Sequence, residues 1–109
     1  MPEMTDTPVL DLLAKMTEDS AEYCDLDPRS FMIARIAALI AVDAPPISYL
    51  ANLGAAKDLD MTIEDLQGLL AAVAPIVGTA RVASAAGNIA RAFGLAVAIA
   101  EEETETAAR

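Results

Sequence analysis

The sequence predicts an all-α fold, a compact bundle of about five helices completed by assembly with copies of itself. Three observations lead there. Alanine, the best helix former, supplies 24 of the 109 residues. Runs of β-branched residues with period-two alternation, the strand signal, are absent. The chain is also 55% hydrophobic but only 4% aromatic, so each helix has few large side chains to bury within one subunit. A chain of this length holds one core, and small side chains let helices of neighbouring copies approach closely enough to complete it.

Thr7 and Pro8 read as an N-cap and a proline at the first helical position, and Val9, Leu10, Leu13 and Met16 follow at helical spacing. This first helix should fade near Tyr23 to Asp25. Asp27 and Pro28 repeat the start signal. From Phe31 to Val42 the sequence is apolar nearly all round, which predicts a buried central helix. Asp43 to Pro46 stops it and opens a third helix to about Asp58, because a proline pair cannot continue a helix but can begin one.

Thr62 caps a fourth helix, with Glu64 and Asp65 placed to complement its dipole and Leu66, Leu69, Leu70 and Val73 facing inward. It should kink or end between Pro75 and Gly78. Thr79 is expected to cap a long last helix to about Glu101, along which Ala90, Gly94 and Ala98 make a smooth stripe for close helix approach. The chain thus divides into an acidic helical segment (1–25), a helical domain (26–100) and an acidic, disordered tail (101–109).

Charge follows the same division. The net charge of −10 resides at the ends: residues 1–27 carry −7, residues 28–100 are neutral, and residues 101–109 carry −3. Acidic ends around a neutral unit repel nucleic acid and anionic membranes, and no basic stripe exists for either. The start is acidic where a signal peptide is basic, and no apolar stretch reaches the roughly 20 residues of a membrane span. A cytoplasmic location is expected, with no nucleic-acid or membrane partner. One cysteine, Cys24, and no histidine allow neither an intrachain disulfide nor two-thiol or histidine chemistry.

Three motifs carry a family resemblance: Leu26-Asp-Pro-Arg29 opening an apolar helix, Leu53-Gly-Ala-Ala56 leading through a turn to Met61-Thr-Ile-Glu-Asp-Leu66, and the next apolar helix ending in Gly78. The stretch from Leu26 to about Gly94 resembles the carboxymuconolactone decarboxylase family, which includes the alkylhydroperoxidase-like proteins. The resemblance implies a helical fold and a homo-oligomer, a trimer or a dimer of trimers. In the family's redox members a Cys-x-x-Cys followed by x-x-x-His supplies the chemistry. Counted back from Thr62, those positions fall on Pro45, Ser48 and Asn52. Proline offers no nucleophile, serine no redox chemistry, and asparagine does not titrate near neutral pH. The decarboxylase-type members keep the histidine, and here that position is Asn52. What the resemblance carries over is therefore fold and assembly rather than activity.

Four residues form a candidate pocket: Arg35, Ser48, Tyr49 and Asn52. Ser48, Tyr49 and Asn52 open the third helix, where the family keeps its active site; they read either as a small ligand or hydrolytic site or as polarity left from a lost one. Ser48 has no base to activate it, which favours the second. Arg35 lies in the apolar helix and needs a partner: a carboxylate ligand, or Asp43, Glu64 or a neighbouring subunit, with a structural pair preferred. Arg81 and Arg91 read as interface or surface pairs, and Cys24, among carboxylates, as an idle thiol. The sequence thus points to a catalytically silent homo-oligomeric binding or scaffolding module with no cofactor or metal ion. The alternative is a cofactor-free enzyme, of decarboxylase or lactone-hydrolase type, acting on a small carboxylate in that pocket.

Overall fold

The computed structural model describes residues 6–108, with side chains through Gly94. Five helices follow in order: α1 (Pro8–Tyr23), α2 (Pro28–Ala41), α3 (Pro46–Asp58), α4 (Ile63–Val77) and α5 (Thr79–Ala108). No strand occurs among the described residues, and no helix there is long and apolar enough to cross a membrane. α1, α2 and α3 each have proline in the first turn, where its missing N–H removes nothing from the hydrogen-bond ladder.

The caps differ in how they hold. Asp27 accepts from the Ser30 N–H, and Thr62 and Asp65 form a reciprocal capping box at the head of α4. Thr7 makes no such bond; its hydroxyl donates to the Asp11 carboxylate instead, at 3.3 Å. Thr79 is likewise inside α5 rather than capping it. Gly78 makes that junction, ending α4 at φ 96 and ψ 156 while its carbonyl accepts from Val82 N–H at 3.1 Å. That backbone conformation belongs almost solely to glycine.

Two helix ends use aspartate where glycine is usual. After α2, Asp43 takes φ 55, the Asp43 N–H donates to Ile40 O and the Ala44 N–H to Leu39 O. After α3, Asp60 takes φ 59, donating to Lys57 O, and Met61 N–H reaches Ala56 O. Both are the paired 5→2 and 6→1 bonds of a Schellman motif, with the residue after each aspartate turned back onto the core.

The core is a set of single stripes. α2 gives Met32, Ile36 and Ile40, and α3 gives Tyr49, Leu53 and Ala56. α4 gives Leu66 and Leu69, with Leu70 and Val73 half-buried beside them. α5 adds Ala85, Ile89 and Ala92, so small residues line the seam where α5 meets α3. The expectation that α2 is enclosed on all sides is corrected: its outer face stays open, with Ala34 and Ala38 exposed and Ile33, at the edge of the core stripe, 39% exposed. One chain supplies neighbours for only one of its stripes. α5 also outruns its expected end near Glu101, in keeping with glutamate- and alanine-rich sequence that holds no Gly or Pro stop. The side chains of Ala98 and of the 101–109 tail lie outside what the structure describes.

α1 buries no side chain. A hydrogen bond from Arg35 on α2 to Thr17 O ties it to the other helices. The whole chain exposes 7933 Å², about 2,200 Å² more than the roughly 5,700 Å² usual for a compact monomer of this mass. The radius of gyration, 15.8 Å, likewise exceeds the roughly 13 Å usual for a compact domain of this length.

Candidate functional site

The connection from α2 to α3 places the polar residues of α3. Its Schellman turn at Asp43 and the extended backbone of Pro45 start α3 at Pro46, with Ser48 N–H donating to Pro45 O at 3.0 Å. Ser48, Tyr49 and Asn52 therefore occupy the first two turns of α3, and the structure separates their roles.

Tyr49 points into the core and is fully buried, and its hydroxyl has no hydrogen-bond partner among the described residues. Burial, and secondarily the nearby Asp43 carboxylate, push its phenol above the usual value. Asn52 is half-buried and spends its amide on Ser48 O of its own helix, at 2.9 Å. Ser48 is half-buried, and no histidine exists in the chain to serve it as a base.

Arg35 is corrected on two points. It is half-buried rather than enclosed, and its partners are not Asp43 or Glu64. Its guanidinium donates to Thr17 O at 3.2 Å and stacks over the Phe31 ring, 4.2 Å from the centroid. A guanidinium over an aromatic face is held by the ring's quadrupole with its rim still open to water, so no carboxylate is required. Arg35 thus faces α1, while Ser48, Tyr49 and Asn52 adjoin the α2–α3 turn. Cys24 is half-buried at the C-cap of α1, its thiol free.

The α2–α3 turn is gripped by a polar stripe on α5 that the sequence reading missed. Arg81 donates to Ala41 O, complementing the carbonyl end of α2. Ser84 donates to the Asp43 carboxylate at 2.6 Å, and Asn88 to Ala44 O at 3.1 Å. Arg91 in turn donates to the Asn88 side-chain oxygen at 3.0 Å. The 81, 84, 88, 91 spacing is one helix face and was visible in the sequence; its target was not. At the opposite end, Arg29 joins α2 to α4 by pairing with Asp65 at 2.9 Å and reaching Leu59 O.

A groove of about 400 Å³ opens between α4 and α5, lined from Ile63 to Leu70 on one wall and from Ala86 to Phe93 on the other, with Gln67 its one polar side chain. None of the four candidate residues lines it. Among the described residues no cluster of carboxylates and thiols could hold a metal ion.

Comparison of the chain with protein-family models, with curated proteins and with solved structures returned no match.

Proposed function

We propose that the chain is a catalytically silent, carboxymuconolactone decarboxylase-like protein that acts in the cytoplasm as a homo-oligomeric binding or scaffolding module, a trimer or hexamer. The observation that carries this reading is the uncovered apolar surface: an amphipathic α1 with no buried side chain, an open face on α2, and an apolar groove between α4 and α5. Silence follows from the residues at the chemical positions: Pro45, Ser48 without a base, and Asn52 bonded to its own helix. Light scattering at micromolar concentration tests the assembly. A mass several times 11.3 kDa is expected, and a stable folded monomer would contradict the proposal.

One observation favours the second reading, a cofactor-free enzyme on a small carboxylate. The Tyr49 hydroxyl is buried and unpartnered, as a donor awaiting a ligand would be. If that reading holds, small carboxylic acids raise the melting temperature of the wild type, and Tyr49→Phe abolishes the rise. The silent module shows no rise.

A further inference from the structure

We infer that α1 of each copy lies in the α4/α5 groove of another copy, an exchange of one helix that forms the assembly interface. This rests on the homo-oligomer reading above and names the surfaces that make it.

Helical spacing carries the fit. Along α1, Val9, Leu12, Leu13 and Met16 fall at i, i+3, i+4 and i+7, all at least half exposed. Asp11, Lys15, Glu18 and Glu22 take the opposite face, so the stripe is apolar without interruption. The groove repeats the same pattern on both walls. On α4 it is lined by Ile63, Leu66, Gln67 and Leu70. On α5 it is lined by Ala86, Ile89, Ala90 and Phe93. Each stripe covers two helical turns, about 12 Å of axis, so a third helix laid along the groove meets both walls over its full apolar length. Short side chains at Ala86 and Ala90 let that helix come close, and this is the arrangement by which an amphipathic helix enters an apolar groove.

A second copy fits better than the same chain. α1 makes no packing contact with α4 or α5 of its own chain, and the Arg35–Thr17 bond fixes it against α2. Folding back into its own groove would break that bond; exchange between copies keeps it. The groove takes the uncharged face of α1, and Gln67 in its lining is exposed. The exchanged pair also removes the exposed leucines and Ile63 from water, which is the surface a permanent interface of this size must cover.

The test uses two exposed positions whose substitution leaves the monomer core intact. Met16→Glu disables the helix; Ile63→Glu disables the groove and places an acid at the first position of α4, where the helix dipole welcomes it. By light scattering each variant should fall to one-fold chain mass while keeping its helical circular dichroism. Mixing the two should restore association, because the intact α1 of one meets the intact groove of the other. With Cys24→Ser as background, Met16→Cys and Ala90→Cys introduced together should give disulfide-linked dimers on oxidation, and neither alone should do so across this contact. A multimeric wild type whose mass is unchanged in both variants would overturn the exchange while leaving the homo-oligomer reading standing. Loss of mass in Met16→Glu alone, with Ile63→Glu unaffected, would show α1 pairing with α1 and also overturn it. A monomeric wild type would overturn both.

Discussion

Replacing Tyr49 by Phe isolates one oxygen atom in the centre of the core. Tyr49 is fully buried and its hydroxyl has no partner, so folding strips water from a polar group and gives nothing back. Such an unmade bond costs about 1–3 kcal/mol, whereas the ring's packing against the α2 and α5 stripes survives in Phe. We expect Tyr49→Phe to gain roughly 1–2 kcal/mol, which in a chain of this size raises the melting temperature by about 4–8 °C per kcal/mol. Wild type and variant are melted by far-ultraviolet circular dichroism at one chain concentration, since an oligomer's midpoint moves with concentration. The same residue sets an alkaline signature. Burial and Asp43 raise its phenol above the ordinary 10.0, so the unfolded chain gives up this proton first. Stability is therefore independent of this proton below about pH 10 and falls as pH rises from there through the folded value. That part of the alkaline loss should vanish in Tyr49→Phe, where Tyr23, 88% exposed, is the remaining phenol. A variant less stable than wild type by a kilocalorie or more would refute the reasoning and show that a water or a ligand satisfies the hydroxyl.

Gly78→Ala should destabilise by about 1–3 kcal/mol through backbone strain alone, because an added Cβ meets nothing within 4 Å at φ 96; an unchanged urea midpoint would show that the α4–α5 junction relaxes. Asp65 accepts first from the Thr62 N–H and then from Arg29, which holds its carboxyl below the ordinary 3.8. Its contribution is present at neutral pH and lost as pH falls through that lowered value, so Asp65→Asn should be less stable at neutral pH and should flatten the acid side of a denaturation-midpoint series. Arg35→Met should cost about 1 kcal/mol or less, the worth of one cation–π contact with a half-open hydrogen bond; a loss of 3–5 kcal/mol in thermal melts would instead reveal a stranded buried acid.

Helix starts were legible because their signals are local. Pro8, Pro28 and Pro46 each stand in a first turn, and Thr62 with Asp65 closes a box of four residues. Ends were harder. Asp43 and Asp60 adopt the left-handed conformation that glycine usually signals, and an aspartate at such a position reads equally as a cap of the next helix. The open face of α2 was hidden for a different reason. When nearly every position of a helix is apolar, periodicity says that it is insoluble alone but not which stripe finds a partner within the chain.

The candidate site divides in the same way. Proline, serine and asparagine at 45, 48 and 52 follow from counting, and their chemical poverty needs no structure. That Tyr49 turns inward rather than into a pocket depends on the α2–α3 turn, which Arg81, Ser84 and Asn88 hold from 40 or more residues away. Those three residues and Arg91 spend their polarity on backbone carbonyls, on the Asp43 carboxylate and on one another, which leaves little of α5's polar face for a ligand. The apolar face of α5 points the other way. Its Ala86-to-Phe93 wall meets α4 at the apolar groove, while α1 shows solvent a stripe of the same spacing. A sequence pattern can fix that α1 is amphipathic; only the fold shows that its own chain leaves the complementary groove empty. The proposed exchange between copies would give each of these two surfaces the partner that the described residues of one chain do not supply.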